Sequence, residues 1–122
     1  MDQTDPQDVY AMVIRGRSFL EQGHPHQAAM LLERASELEP EKTSIRETLA
    51  RALYLCGRKG RAGEEFARVI ELDPSNDYAH FGLGLCQAAA GNVQRALGHL
   101  KLAVAMRPDS EDYRLALQRV AG

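Results

Sequence analysis

The sequence predicts an all-α chain made of three tandem helix-turn-helix repeats and one further helix at the end. Two observations carry this. Pro40, Pro74 and Pro108 stand 34 residues apart, and the same interval relates Gly23, Gly57 and Gly91 as well as Ala28, Ala62 and Ala96. Three residue types on one period mark a repeat architecture, in which each unit buries its apolar side against the next. Within each unit the apolar residues recur at helical spacing on both sides of the glycine.

The elements follow in order. A first helix over 6–22 opens on Asp5, Pro6 and Asp8, which supply a cap, a preset first-turn residue and a carboxylate at the helix N-terminus. Met12, Gly16 and Phe19 lie on one of its faces. Beyond Gly23, Pro25 starts a second helix over 25–38 that carries Ala28, Leu31, Leu32 and Ala35. The next unit repeats the pair over 43–56, with Leu49, Ala50 and Leu53, and 59–72, with Ala62, Phe66 and Val69. The third has Leu83 and Gly84 in 77–90, then Ala96, Leu100 and Ala103 in 93–106. Each glycine can take the left-handed conformation that closes a helix, and each proline pushes its predecessor (Glu39, Asp73 or Arg107) out of the α region. After Pro108, Asp109 or Ser110 can cap a last helix with Tyr113, Leu117 and Val120 on one face, which suits the open end of a stack. The chain, 1–122, reads as one domain with repeats at 9–42, 43–76 and 77–110 and a capping helix at 111–121. Gly63 and Gly98 fall inside second helices, where each costs about 1 kcal/mol relative to alanine. Either they permit close helix contact or the stack is only moderately stable.

Composition narrows the function. The length allows one modest core, and a net charge of −2 offers no general attraction to a phosphate backbone or an anionic bilayer. The longest apolar-leaning run, "LGLCQAAAG", is too short to cross a membrane, and the first residues, "MDQTDPQD", match no secretory or organellar presequence. A cytoplasmic protein that contacts neither nucleic acid nor membrane is expected. Cys56 and Cys86 have neither a disulfide-framework nor a zinc spacing and are expected as packed, reduced thiols.

These residues resemble the tetratricopeptide repeat, a 34-residue helix-turn-helix unit with the pattern W-x2-L-G-x2-Y, A-x3-F and P. The first unit offers "MVIRGRSF", "AAMLL" and Pro40, with Met12 at the aromatic place and Arg15 at the leucine. The second offers "RETLARAL", "AGEEF" and Pro74; the third "HFGLGLCQ", "ALGHL" and Pro108, with His80 and Gln87 at the two aromatic places. The match runs from Val9 to Pro108. It implies a right-handed α-solenoid whose first helices line a concave groove, in which family members dock a peptide or partner helix without catalysing a reaction.

On those first helices the stripe beside the repeat core is Tyr10, Val13, Arg17, Leu20; then Ser44, Glu47, Arg51, Tyr54; then Tyr78, Phe81, Leu85, Ala88. Eight of the twelve are apolar or aromatic, more than a solvated face needs. Tyrosine supplies contact area with a polar tip and arginine binds carboxylates bidentately, a mixture found on partner-binding surfaces. The candidate binding residues are therefore Tyr10, Val13, Arg17, Glu47, Arg51, Tyr54, Tyr78, Phe81 and Leu85. Arg17 and Arg51, equivalent in successive units, are expected side by side, where they could hold an acidic side chain or a C-terminal carboxylate. The rival reading pairs them with Glu21 and Glu47 and packs Leu20, Leu85 and Ala88 between helices. Repeats that clamp the acidic C-terminus of heat-shock chaperones resemble one another in Lys and Asn on the first two stripes and Lys and Arg on the third. Here Val13 and Arg17, Thr48 beside Arg51, and Tyr78 and Gly82 stand instead, so that clamp is not expected.

The remaining motifs carry no chemistry. His24 and His26 in "GHPHQAAM" occupy the turn positions of "GRKGRAGE" and "GNVQRALG", with no third ligand nearby, so no metal site is expected. "GRKGR" falls in a turn, and Arg61 sits four residues before Glu65, the spacing of an intrahelical ion pair. "HFGLG" follows no strand and lacks the third glycine of a dinucleotide loop. His80 and Cys86 turn to different faces of one helix, and the adjacent Glu64 and Glu65 diverge, so no catalytic residues and no cofactor are expected. The sequence thus reads as a non-catalytic adaptor or scaffold that binds a protein or peptide. The alternatives are a self-assembling subunit that forms homo-oligomers, or a secretion-type chaperone that holds a protein substrate.

Overall fold

The computed structural model describes residues 6–122; the Asp5 cap lies outside them. It contains seven helices: α1 (Pro6–Glu21), α2 (Pro25–Leu38), α3 (Thr43–Leu55), α4 (Lys59–Leu72), α5 (Asp77–Ala89), α6 (Val93–Met106) and α7 (Glu111–Ala121). The expected bounds hold to within one residue. The first helices end one residue early because Gln22, Cys56 and Ala90 become caps ahead of Gly23, Gly57 and Gly91, whose φ angles are 82°, 91° and 86°. At each of these ends two backbone bonds close the last carbonyls, as in Gly23 N–H to Leu20 O at 3.1 Å and His24 N–H to Phe19 O at 2.8 Å. The second helices stop where Glu39, Asp73 and Arg107 leave the α region (φ −134°, −147° and −139°) ahead of their prolines. At the starts, Asn76 accepts from Ala79 N–H at 2.8 Å and Ser110 from Tyr113 N–H at 3.2 Å.

Each helix packs on its neighbours in the chain, and α1 also meets α3, α3 meets α5 and α5 meets α7. Among the described residues α2, α4 and α6 make no such second-neighbour contact. The first helices therefore form the inner, tighter layer of a curved stack, and their free faces line its hollow. Leu32, Leu49, Leu53, Val69 and Leu100 are the largest fully buried side chains, each worth about 1.5–3 kcal/mol out of water. Small residues set the helix separation: a Cβ added at Gly16 would lie 2.8 Å from Leu32 Cγ, and one at Gly84 would lie 2.8 Å from Leu100 Cγ. The two glycines inside second helices differ. Gly63 sits against Cys86, with an added Cβ 3.3 Å from Cys86 Cβ, whereas Gly98 faces open space.

Polar contacts join successive layers. Arg46 on α3 pairs with Glu65 on α4 at 2.7 Å, both little exposed (16% and 12%). Arg61 makes the expected pair with Glu65 at 3.2 Å and also reaches Glu33 on α2 at 3.3 Å. In the third unit the buried His80 lies 3.0 Å from the Pro74 carbonyl through Nε2, and its Nδ1 is 3.0 Å from Nδ1 of His99 on α6. The neutral pair satisfies this geometry if His80 donates from Nε2 and accepts from His99 at Nδ1. Burial, and then the neighbouring His80, hold the His99 imidazole below its ordinary pKa.

Candidate functional site: the concave face

The hollow has two parts. At the N-terminal end a recess of about 250 Å³ is walled by Tyr10, Val13 and Arg17 of α1, Glu39 and Lys42 of the connection, and Ser44 and Ile45 of α3. Tyr10 is 68% exposed, but Val13, at 9%, is a core residue that forms the floor with Val9 and Ile45. Leu20 is likewise buried. Both belong to the hydrophobic core, so neither Val13 nor Leu20 presents a free side chain.

Further along, three recesses share Tyr78 as a wall. One of about 360 Å³ is lined by Glu47, Thr48, Arg51 and Tyr78. A narrower cleft of about 190 Å³ adds Tyr54, Phe66, Phe81, Gly82 and Leu85 to Arg51 and Tyr78. The third, about 570 Å³, opens between α5 and α7 and brings Glu47, Asp77, Tyr78 and Phe81 together with Arg107, Asp112 and Tyr113. An aromatic chain runs through them: Phe66 meets Tyr78 edge-on at 5.9 Å, Tyr78 meets Phe81 at 6.0 Å, and Phe81 stacks on Tyr113 at 4.7 Å. At the rim, Lys59 Nζ lies 4.9 Å over the Tyr54 ring.

Arg17 and Arg51 are both exposed and line separate recesses. Their expected pairings with Glu21 and Glu47 do not form. Glu47 instead accepts from Asn76 Nδ2 at 2.8 Å, which ties α3 to the start of α5. Six of the expected residues are thus brought together around Tyr78: Glu47, Arg51, Tyr54, Tyr78, Phe81 and Leu85. Tyr10, Val13 and Arg17 form the separate N-terminal recess.

Sequence reasoning missed residues from two other helices. Phe66, on α4, reaches the inner face because Gly82 has no side chain: a Cβ there would lie 2.3 Å from the Phe66 ring. Gly82 is equivalent to Ile14 and Thr48 in the other units, and this loss of a side chain was the available signal. Tyr113 was assigned to the cap's own apolar face, but its hydroxyl donates to Asp77 Oδ2 at 2.6 Å, beside the Arg107 guanidinium at 3.0 Å. Burial works to raise the Asp77 carboxyl, yet these two donors prevail and hold it below the usual carboxylate range. Burial and the bond to Asp77 push the Tyr113 phenol up. Nothing local in the sequence foretells a contact that spans 36 residues.

His24, the residue before α2, and His26, in the first turn of that helix, are both exposed, with His24 edge-on to Phe19 at 6.3 Å. Among the described residues no group of three or more His, Cys, Asp or Glu is placed to hold a metal ion. Both cysteines are free, and burial pushes the Cys86 thiol up to about 11 against the opposing influence of Lys59. Among the described residues no helix is long and apolar enough to cross a membrane.

The tetratricopeptide repeat model matches residues 15–77 and again 57–111. The chain belongs to the tetratricopeptide repeat (TPR) family. It is a right-handed TPR α-solenoid of three repeats with a capping helix. Among curated proteins it is 32% identical over 102 residues to the human FK506-binding protein-like protein, a match covering 77% of this chain and 29% of that one. The rat counterpart is 30% identical over 114 residues, covering 87% and 33%. The TPR chain therefore spans about a third of the length of these relatives. Among solved structures it is similar to the first TPR domain of Spaghetti (RPAP3) bound to the HSP90 peptide SRMEEVD, with TM-score 0.89 and 15% identity over 97% of this chain and 94% of that one. MamA is similar at TM-score 0.86 and 20% identity, over 95% and 68%.

Proposed function

We propose that this TPR chain is a non-catalytic interaction module that holds an extended segment of a partner protein in its concave face, as an adaptor or scaffold in the cytoplasm. The observation that carries this is the aromatic cleft around Tyr78. Tyr54, Tyr78, Phe81 and Leu85 remain partly exposed there, beside an Arg51 that has no ion pair among the described residues. Rigid aromatic surface beside an unpaired arginine is the composition of binding hot spots. A peptide complex of a structural neighbour, that of Spaghetti (RPAP3) with an HSP90 peptide, supports the reading for the fold. The site residues proposed are Glu47, Arg51, Tyr54, Tyr78, Phe81 and Leu85, with Tyr10 and Arg17 as a separate N-terminal contact above the buried Val13. Arg17 and Arg51 are the cations that a partner's carboxylate would meet.

The test is capture of partners from a source-cell lysate by the full chain and by the Arg51→Glu/Tyr54→Ala variant, both checked for native helicity. Loss of a partner from the variant is expected, and a partner retained at full strength by the variant would refute the groove. Solution molar mass addresses self-assembly. A stable dimer abolished by the same two substitutions would mean that a second copy fills the groove.

A further inference from the structure

The occupant of the groove can be specified more closely, on the reading that the concave face is a binding site. The apolar cleft over Phe66, Phe81 and Leu85 is small, about 190 Å³, enough for one side chain of the partner. What flanks it chooses the neighbouring residue. On the side of α7 lies the larger recess, whose walls carry Glu47, Asp73, Asp77 and Asp112 against the single guanidinium of Arg107. Arg107 is already committed to Asp77 at 3.0 Å. Glu47 and Asp73 accept only from the uncharged Asn76 and Ser75. Asp112 is exposed. None of these three carboxylates has an ion pair among the described residues. The hydroxyl of Tyr78, the wall common to both spaces, is raised first by burial, then lowered by Arg51 and raised by Glu47, so the two rims impose opposite potentials on it.

An acidic tail running through both spaces would place like charges against three uncompensated carboxylates, whereas a cation there gains their attraction. We propose that the groove takes a partner segment in which an apolar side chain enters the cleft and an adjacent lysine or arginine enters the recess between Glu47 and Asp112. Arg51, on the opposite rim, then disfavours a second basic residue on that side. The partner class is a basic-apolar segment of a protein, not an acidic C-terminus.

The experiment pans a random-peptide display library on the full chain and on the Arg51→Glu/Tyr54→Ala variant. Enrichment, on the full chain only, of peptides that pair an apolar residue with Lys or Arg is the expected result. A synthetic copy of an enriched peptide is then titrated by fluorescence anisotropy at low salt. Asp112→Lys and Glu47→Gln should each weaken it about fivefold, with the loss shrinking as salt screens the charges. Replacing the peptide's basic residue with Glu should recover affinity for Asp112→Lys. Asp112 is exposed and has no ion pair among the described residues; the reversed charge in the first turn of α7 is unfavourable at a helix N-terminus, so the helicity of the variant is checked by circular dichroism before titration. Enrichment of acidic or uncharged peptides, or unchanged affinity in both single variants, overturns the charge assignment and leaves the groove standing. Peptides held equally by the double variant, or no enrichment at all, count against the groove itself.

Discussion

A single methyl group placed at two glycines of the third unit should have opposite effects. Gly98 sits inside α6 with nothing within 4 Å of an added Cβ. Alanine there gains helix propensity without contact, stabilising by about 1 kcal/mol. Gly82, inside α5, gains the same propensity, but its new Cβ would lie 2.3–2.5 Å from three atoms of the Phe66 ring. Ordinary contact begins near 3.4 Å, so the ring must retreat by more than an ångström or turn off its rotamer. Phe66 is 2% exposed and lies against α5, so the ring must give up its packed position and displace the floor of the cleft. Overpacking of this kind costs about 1–3 kcal/mol, which outweighs the propensity gain at most of that range. In a chain of this length 1 kcal/mol moves the melting temperature by about 4 °C. Circular dichroism melts and urea titrations of the two variants should therefore move in opposite directions from the parent, with Gly82→Ala also losing peptide affinity as Phe66 shifts the floor of the cleft. If both alanines raised the midpoint alike, the approach of Phe66 through the gap at Gly82, and the cleft built on it, would be refuted.

Three further outcomes follow from single contacts. Tyr113→Phe removes the donor at 2.6 Å from Asp77 and should cost about 1 kcal/mol by urea unfolding. Because the Asp77 carboxyl is held low in the folded chain, its contribution is present above the unfolded carboxylate range and is lost as pH falls through the folded value. Acid unfolding should therefore be shallower in that variant. The His99 imidazole is lowered, so the folded state resists its protonation and stability falls as pH drops below the unfolded value, about 6.5. His99→Leu should reduce the difference between urea midpoints at neutral and mildly acidic pH. Gln87, in the place of an aromatic, leaves its Oε1 buried without a hydrogen-bond partner among the described residues, and Gln87→Leu should raise the unfolding free energy in urea by about 1 kcal/mol; a lowered free energy would show that the amide is satisfied.

The fold was legible because each repeat carries its own punctuation. Left-handed glycine and helix-stopping proline act within a few residues, and a 34-residue period tests each assignment three times. The inner stripe was legible too, since helical spacing alone places Tyr54, Tyr78 and Phe81 on one face. Burial along the stripe was harder to read: Val13 and Leu20 share it with Tyr10 and Arg17, but the first two join the core while the others stay exposed. Equal register places Arg17 and Arg51 on the same helix face, and the two line different recesses along it. The acidic wall escaped because its parts come from α3, the α4–α5 connection, α5 and α7, each ordinary in its own segment.

Features particular to α5 shape the groove. Gly82 opens the way for Phe66, and His80 trades an aromatic contact for its bonds to Pro74 and His99, while Gly84, the glycine of the repeat pattern itself, lets Leu100 approach as Gly16 does Leu32. Each glycine costs about 1 kcal/mol of helix propensity, so α5 owes its stability to α4, α6 and α7 more than to its own sequence. The contacts that hold it from the concave side are Phe81 on Tyr113 and Asp77 on Tyr113 and Arg107, all at the edge of the large recess. A segment bound there touches the same side chains and must stabilise α5 and α7 together. With ligand at a hundred times its dissociation constant, the gain is about 2.7 kcal/mol. Hydrogen exchange should place that added protection on α5 and α7 and leave α1 and α2 unchanged. Protection spread evenly over all seven helices would mean that the stack opens as one unit and that α5 is not its weak element.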